Sequence, residues 1–188
     1  MESLSRYQIL FDNYLENNKQ KSKPLGLYAP IEYILSLGGK RLRPLLALMA
    51  TEAFGNNPEE ALPAALSVEV FHNFTLIHDD IMDQAPLRRG APSVHNKWDE
   101  NTGILSGDAM LIQAYQCLET YPNELFVKLI KHTSKTALEV CEGQQYDMDF
   151  ETQKDVTISA YLEMIRLKTA VLVGHSLKIG AWIGNASD

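Results

Sequence analysis

The sequence predicts one all-α domain over residues 1–188. Apolar residues recur at intervals of three and four along nearly the whole chain, which is the period of an amphipathic helix. No segment shows a strong alternation of apolar and polar residues, as a half-buried strand does. Hydrophobic residues make up 45% and charged residues 22% of the chain, which is ordinary for a globular domain with a sizeable core.

The first half of the chain is predicted to form three amphipathic helices and then a long apolar one. They cover residues 4–15, 28–37, 42–54 and 59–83. Gly38 and Gly39 end the second helix, and Pro44 falls in the first turn of the third, where proline is tolerated. The fourth helix is apolar nearly all round, which indicates a position in the middle of a bundle.

A loop and four further helices complete the predicted order. The segment 84–98 contains Pro86, Gly90 and Pro92 and is predicted as a long loop, a kind of segment that is often functional. The later helices are predicted over residues 102–119, 124–150, 156–173 and 175–182. This gives about seven or eight helices, whose topology the pattern leaves open.

Composition argues against several classes of protein. With 24 acidic and 17 basic residues the formal net charge is −7, which is unsuited to binding the phosphate backbone of nucleic acid. We expect no transmembrane segment, because no run approaches the ~18 apolar residues of a membrane span, and no signal peptide pattern is visible. Cys117 and Cys141 lack metal-type spacing, so we expect reduced thiols in or near the core of a cytoplasmic protein.

The segment LIHDDIMDQAPLRRG, residues 76–90, places aspartates on an apolar helix. Asp79 and Asp83 are four positions apart and share one face, and His72 lies on the same stripe about two turns earlier. Asp80 is about 100° round the helix and need not share their role. Because neighbouring carboxylates repel each other, the pair favours a cation. Mg²⁺ suits it, since this ion commonly takes one or two carboxylates together with phosphate oxygens.

Basic residues occur at two places that complement these carboxylates. Arg88 and Arg89 follow the helix, and the guanidinium group matches the geometry of phosphate. Lys40 and Arg43 lie at a helix start in GGKRLRP, residues 38–44, where their side chains can converge and where anions are favoured. The sequence therefore predicts two anion sites, one of which has metal ligands beside it.

Four separated motifs together resemble the trans-isoprenyl diphosphate synthases, the polyprenyl synthetase family. They are GGKRLRP (38–44), HDDIMD with LRRG (78–83 and 87–90), GQQYD (143–147) and RLKTA (166–170), in the order of the family. The resemblance implies antiparallel helices around a deep central cavity, the isoprenoid synthase fold, and a homodimer. It also implies Mg²⁺-dependent head-to-tail condensation of isopentenyl diphosphate with an allylic diphosphate.

The resemblance further implies roles for single residues. Asp79 and Asp83 bind Mg²⁺ in this interpretation, and Arg88 holds the allylic diphosphate. The isopentenyl diphosphate is assigned to Lys40, Arg43, His72 and Arg89. Lys168 and Thr169 are expected beside the allylic diphosphate and the nascent carbocation, and Gln144 and Asp147 are expected to line the same cavity.

The resemblance also implies that the apolar part of the long helix controls product length. Thr75 lies one turn below Asp79, Phe74 about 7–8 Å below it and Phe71 about 11–12 Å below it. By the same resemblance a bulky aromatic at Phe74 forms the floor of short-chain enzymes. We therefore expect a product of 15 or 20 carbons (C15–C20).

One part of the family pattern is not found. The family carries a second aspartate-rich motif after the KTA segment, and the late acidic residues Asp149, Glu151, Asp155 and Glu163 do not form one. We therefore expect residues 1–188 to be an N-terminal part of a synthase that is truncated at its C-terminus. Alone, it is expected to bind diphosphate weakly and not to turn over.

Other functions stay open at this point. His78 and Asp79, with His72 upstream, also resemble an HD-type metal phosphohydrolase, which needs histidine ligands and leaves the basic motifs unused. A non-catalytic subunit of a heteromeric prenyl synthase is a second alternative, although such subunits tend to lose the aspartates or arginines kept here. A terpene cyclase shares the aspartate motif but does not need Lys40, Arg43 and Arg89 for a second diphosphate.

Overall fold

The computed structural model describes residues 2–19 and 23–187, which are helical apart from loops and one short hairpin. This confirms the predicted all-α class. The helices are α1 Glu2–Asn17, α2 Leu25–Ser36, α3 Leu42–Ala53, α4 Leu62–Met82, α5 Val94–Lys97, α6 Glu100–Gln116, α7 Asn123–Thr152, α8 Ile158–Ile165 and α9 Val171–Ile183. Single 3₁₀ turns lie at Pro58–Ala61 and Cys117–Thr120, and a π turn at Arg166–Ala170 joins α8 to α9.

Helix α4 lies in the middle of the domain, as its apolar composition predicts. It packs against α3, α6 and α9. Phe71 and Ile77 point to different sides of α4, and both are buried. Full burial of each such side chain contributes about 1.5–3 kcal/mol to the free energy of folding. The surrounding helices supply further side chains with no exposed surface, among them Phe11, Leu48, Met110 and Ile179.

The segment 84–98, predicted as a plain loop, contains regular structure. Strand β1, Leu87–Arg88, pairs antiparallel with β2, Ala91–Pro92, and α5 follows. The two residues of the turn, Arg89 and Gly90, both have positive φ values, +54° and +80°, as a tight hairpin turn requires. Strands this short give no periodic signal, so the sequence pattern misses them. The hairpin fixes the backbone that carries both arginines.

The break predicted between residues 173 and 175 is wrong. Helix α9 runs through Gly174, which is exposed, and the interruption lies at the π turn inside the predicted helix 156–173. Tertiary packing accompanies this turn. Helix α7 comes so close at Gly143 that a Cβ atom there would lie 2.2 Å from the backbone nitrogen of Lys168. A pattern of single residues cannot report such a contact between two segments.

The two cysteines differ in environment, although both are free thiols. Cys117 is half-buried, whereas Cys141 is exposed, so the prediction that both lie in or near the core is wrong for Cys141. The reason is that α7 borders an open cavity, and Cys141 is on its wall. None of the helices in residues 2–19 and 23–187 combines the length and the apolar character needed to cross a membrane.

Candidate functional site

A cavity of about 290 Å³ lies between α4, α7 and the π turn, and Arg43 of α3 is also part of its lining. The lining combines apolar side chains, among them Phe74 and Leu172, with polar side chains of α4, α7 and the π turn. The lining brings together many of the predicted site residues: Arg43, His72, Phe74, Thr75, Asp79, Gln144, Lys168 and Thr169.

Lys168 extends from the π turn to two aspartates. Its Nζ atom lies 2.6 Å from the Asp147 carboxylate on α7 and 3.2 Å from the Asp79 carboxylate on α4. Burial lowers the pKa of Lys168, but the hydrogen bond to Asp147 and the charge of Asp79 more than offset this, so that its pKa is raised. The ammonium group therefore links three elements of the cavity wall. Gln144 lines the cavity, whereas Asp147 is not in the lining and reaches the site through its hydrogen bond with Lys168.

Asp79 and Asp83 form an acidic pair at the end of α4. Asp83 follows the last residue of the helix and is exposed. The part of it that is buried and the charge of Asp79 both raise its pKa. Two carboxylates that repel each other are a suitable donor set for a hard divalent cation. Within the described ranges no group of three or more His, Cys, Asp or Glu side chains could hold a metal. Mg²⁺ fits such a two-carboxylate set when a substrate supplies further oxygens.

Asp80, to which the sequence assigns no role, holds Arg88. Its carboxylate is fully buried and accepts hydrogen bonds from Nε of Arg88 at 3.0 and 3.2 Å and from Nη2. These hydrogen bonds raise the pKa of Arg88. The guanidinium also lies 3.7 Å from Asp79. Asp80 is therefore a positioning residue. Its place about 100° round α4 from Asp79 was the only feature of the sequence that indicated a separate role.

A second group of basic side chains surrounds His72. Nη1 of Arg43 donates a hydrogen bond to Nε2 of His72 at 3.1 Å. Burial and the nearby charges of Arg43, Arg89 and Arg88 lower the pKa of His72 to about 3, so the imidazole is a neutral acceptor. Nε of Arg43 is buried and has no hydrogen-bond partner in the part of the chain that the structure describes. Such an arrangement is suited to an anion.

Arg89 connects the two basic motifs in space. Its Nη1 atom donates to the carbonyl of Gly38. A Cβ atom at Gly39 would lie 3.0 Å from Cζ of Arg89, and Gly39 has a φ of +137°, which glycine adopts most readily. Lys40 is exposed in the same turn. The motifs GGKRLRP and LRRG therefore lie side by side and form one site. Their separation in the sequence does not reveal this contact.

A buried ion pair beneath this group was not predicted. Arg41 pairs with Glu69 of α4, and both side chains are buried. A lone acidic residue within the apolar run 62–77 was the only sequence signal for it.

The aromatic residues Phe71 and Phe74 of α4 pack against each other. Phe74 and Thr75 line the cavity, whereas Phe71 lies behind Phe74 and borders a separate void of about 10 Å³. The rings of Phe71 and Phe74 meet edge to face with centroids 5.5 Å apart, and Phe74 also packs against His78 at 4.8 Å. Their effect on product length stays a prediction.

The histidines do not support the phosphohydrolase alternative. Nε2 of His78 faces the carbonyl of Ile104 on α6 at 3.2 Å, while Nε2 of His72 is engaged by Arg43. These contacts do not gather the two imidazoles and Asp79 into one ligand set, which is what that enzyme class needs.

Comparisons with known proteins agree with this geometry. The family model for polyprenyl synthetases matches residues 25–188. The geranylgeranyl diphosphate synthase of Methanosarcina mazei is 51% identical over 169 residues, which cover 89% of this chain and 52% of that protein. The geranylfarnesyl diphosphate synthase of Natronomonas pharaonis is 41% identical over 184 residues, covering 88% and 54%. A crystal structure of a geranylgeranyl pyrophosphate synthase superposes with a TM-score of 0.97 at 56% identity, covering 100% of this chain and 57% of that one.

The chain spans about half the length of these relatives. Its described helices follow the isoprenoid synthase fold of the superposed structure, which confirms the predicted architecture over this part. The family model, the close relatives and the fold agree with the four sequence motifs. The chain belongs to the polyprenyl synthetase family.

Proposed function

We propose that this chain is part of a short-chain trans-prenyltransferase, which condenses isopentenyl diphosphate with an allylic diphosphate. The observation that carries the proposal is the presence of two groups of cationic side chains at one cavity, each of which is suited to an anion. Arg88 and Lys168, beside Asp79, make up the first, and Arg43, beside His72, belongs to the second. A hydrolase or a cyclase that acts on a single diphosphate has no use for the second site.

Each group has a distinct part in the proposed reaction. Asp79 and Asp83 would hold Mg²⁺, which neutralises the allylic diphosphate and favours its departure. Arg88, kept in place by Asp80, binds that diphosphate, and Lys168 neutralises charge on the same side. The charge-assisted hydrogen bonds from arginine are suited to a departing diphosphate.

The second substrate is held without a metal in this proposal. Arg43, Arg89 and Lys40 bind isopentenyl diphosphate, and His72 orients Arg43 through the hydrogen bond at 3.1 Å. The apolar wall at Phe74 excludes water from the carbocation and directs the growing chain, with Thr169 and Gln144 at the same wall. The double bond of isopentenyl diphosphate attacks the cation, and the departing diphosphate then takes the proton. Phe74 limits the product to 15 or 20 carbons.

We further propose a cytoplasmic homodimer. Leu105 and Ile112, seven residues apart on α6 and therefore on one face, are 60% and 59% exposed. Burial of such a stripe against a second copy would remove apolar surface from water. The two free thiols agree with a reducing compartment.

The test uses a chimera, because the relatives are nearly twice as long as this chain. The chain is joined to the portion of the Methanosarcina mazei synthase that the match leaves uncovered, and the product is identified by mass spectrometry. With Mg²⁺ and both substrates we expect a prenyl diphosphate of 15 or 20 carbons. The chain assayed alone is expected to show no steady turnover.

Variants identify the residues responsible. The double variant Asp79→Asn/Asp83→Asn is expected to lose at least about 100-fold in turnover, because it loses its metal ligands. Asp155→Asn, at an exposed position, is the matched control and should keep full activity. A folded chimera that does not condense the two substrates, or a double variant with the full rate, would contradict the proposal.

A further inference from the structure

Glu69 is a buried carboxylate among arginines, and the roles proposed above do not use it. It lies on α4 with 2% of its surface exposed. Its Oε1 atom accepts a hydrogen bond from Nη1 of Arg41, whose Nη2 atom donates to the carbonyl of Leu35 at 2.6 Å. Asn73, one turn further along α4, donates to both the carboxylate and the main-chain carbonyl of Glu69, each at 2.8 Å. The carboxylate is thus held from two sides.

The charge of Glu69 also acts on the anion site itself. Burial lowers the pKa values of Arg43 and Arg89, and the negative charge of Glu69 opposes that effect at both residues. One buried acid therefore lies within electrostatic reach of three arginines. Without it, these like charges would repel one another at close range.

The backbone of Arg41 explains what the ion pair achieves. Arg41 precedes the first residue of α3 in the left-handed conformation, with a φ of +48°. Residues other than glycine adopt this region uncommonly, so contacts elsewhere must hold it. The bonds to Glu69 and to Leu35 tie the start of α3 to α4 and α2. They consequently fix the direction in which the neighbouring Lys40 and Arg43 leave the backbone.

We propose that Glu69, held by Asn73, is a positioning residue for the isopentenyl diphosphate site. It fixes Arg41 and through it the backbone of Lys40 and Arg43. This inference rests on the proposed function. Simple electrostatics predicts the opposite result for its removal, because loss of a negative charge beside an anion site strengthens anion binding. The sign of the change in affinity therefore separates positioning from charge.

The experiment measures isopentenyl diphosphate binding to this chain by calorimetry without metal. We expect Glu69→Gln and Asn73→Ala each to weaken binding about tenfold, the effect of losing one hydrogen bond to a charged group. Asn73→Ala changes no charge, so its loss has no electrostatic explanation. Glu163→Gln is the matched control: it removes an exposed carboxylate paired with Arg166 and should leave the affinity unchanged.

A second measurement separates positioning from a general structural role. In the chimera, both variants should raise KM for isopentenyl diphosphate and leave KM for the allylic substrate unchanged. If circular dichroism shows that Glu69→Gln does not fold, the affinity and the KM values of Asn73→Ala test the inference instead. Wild-type chain that fails to bind isopentenyl diphosphate contradicts the proposed function and with it this inference. Wild-type binding together with equal or tighter binding by the folded variants overturns this inference alone.

Discussion

At the scale of single residues, charge pairs determine what the site can bind. Asp80 holds Arg88, and Lys168 lies between Asp79 and Asp147. Each aspartate thus has its own basic partner or shares one. The three aspartates of HDDIMD consequently have different parts. Asp80 is buried and holds an arginine, whereas Asp83 is exposed at the helix end. Their arrangement follows from the rotation of about 100° per residue along α4.

Replacing Asp80 with Asn tests its positioning role. The variant leaves Arg88 with a weaker acceptor in a buried place, so we expect a loss of about 1–3 kcal/mol in the free energy of unfolding. In the chimera, KM for the allylic substrate should rise while KM for isopentenyl diphosphate stays constant. Urea unfolding and steady-state kinetics measure both effects, with Asp155→Asn as control. If Asp80→Asn and wild type have the same KM for the allylic substrate, Arg88 does not need the Asp80 carboxylate to bind that substrate.

The pKa of His72 predicts a pH dependence of stability. Its folded-state pKa is about 3, below the ordinary histidine value of 6.5. As the pH falls below about 6.5 the unfolded chain binds a proton that the folded chain does not, so the stability present above this pH is lost towards pH 3. The loss is at most about 1.4 kcal/mol per pH unit.

Histidine NMR titration and urea unfolding at pH 7 and pH 5 check this expectation. The imidazole of His72 should remain neutral at pH 5, and His72→Gln should show a smaller fall in stability between the two values. Protonation of His72 near pH 6.5 in the folded chain would be incompatible with its burial among arginines.

At the scale of elements, the π turn and the hairpin bring the motifs together. The turn Arg166–Ala170 meets α7 at Gly143, which lets Lys168 reach both aspartates. The hairpin β1–β2 carries Arg88 and Arg89 back towards α4 and the glycine turn. Both elements are short, and each depends on a close contact with a distant segment.

Two glycine-to-alanine variants test the packing at the π turn. Gly143→Ala places a methyl group against the Lys168 backbone, so we expect it to destabilise the chain by about 1–3 kcal/mol. Gly174→Ala meets no atom within 4 Å and should stabilise α9 by about 0.5–1 kcal/mol. Urea unfolding measures the change in the free energy of unfolding for both variants. If the two changes are similar, α7 and the π turn are not in such close contact.

The limits of sequence reasoning follow from the same contacts. Helix positions are predictable because amphipathic period is a local property, and the motifs at Asp79, Arg43 and Lys168 identify the cavity wall by type and spacing. The pair Arg41–Glu69 joins residues 28 positions apart, and the contact of Gly143 with Lys168 also joins distant segments. No local pattern encodes these distances. The break predicted at Gly174 fails because an exposed glycine inside a helix is tolerated at a small cost.

At the scale of the whole molecule, one cavity brings charged and apolar side chains together. Asp79 and Phe74 both line it, and Phe71 packs against Phe74 outside the lining. Under the proposed function, the distance along α4 from Asp79 limits the length of a prenyl chain that starts at the diphosphate.

Replacing Phe74 with Ala should deepen the cavity and lengthen the product. The loss of the ring opens the space up to Phe71, so we expect the chimera to extend its main product by at least one isoprene unit, as seen by mass spectrometry. Phe126→Ala, on α7 outside the cavity lining, should leave product length unchanged. The same main product from Phe74→Ala and wild type would show that Phe74 is not the floor.

The most direct test of the central claim is the binding of a non-hydrolysable allylic diphosphate analogue to this chain, measured by calorimetry with and without Mg²⁺. The acidic pair and Arg88 should act together, so we expect binding at least about tenfold tighter with the metal, the effect of one charge-assisted contact. This gain should vanish in Asp79→Asn/Asp83→Asn. Equal affinity with and without Mg²⁺ in the wild-type chain would contradict the proposed metal–diphosphate site.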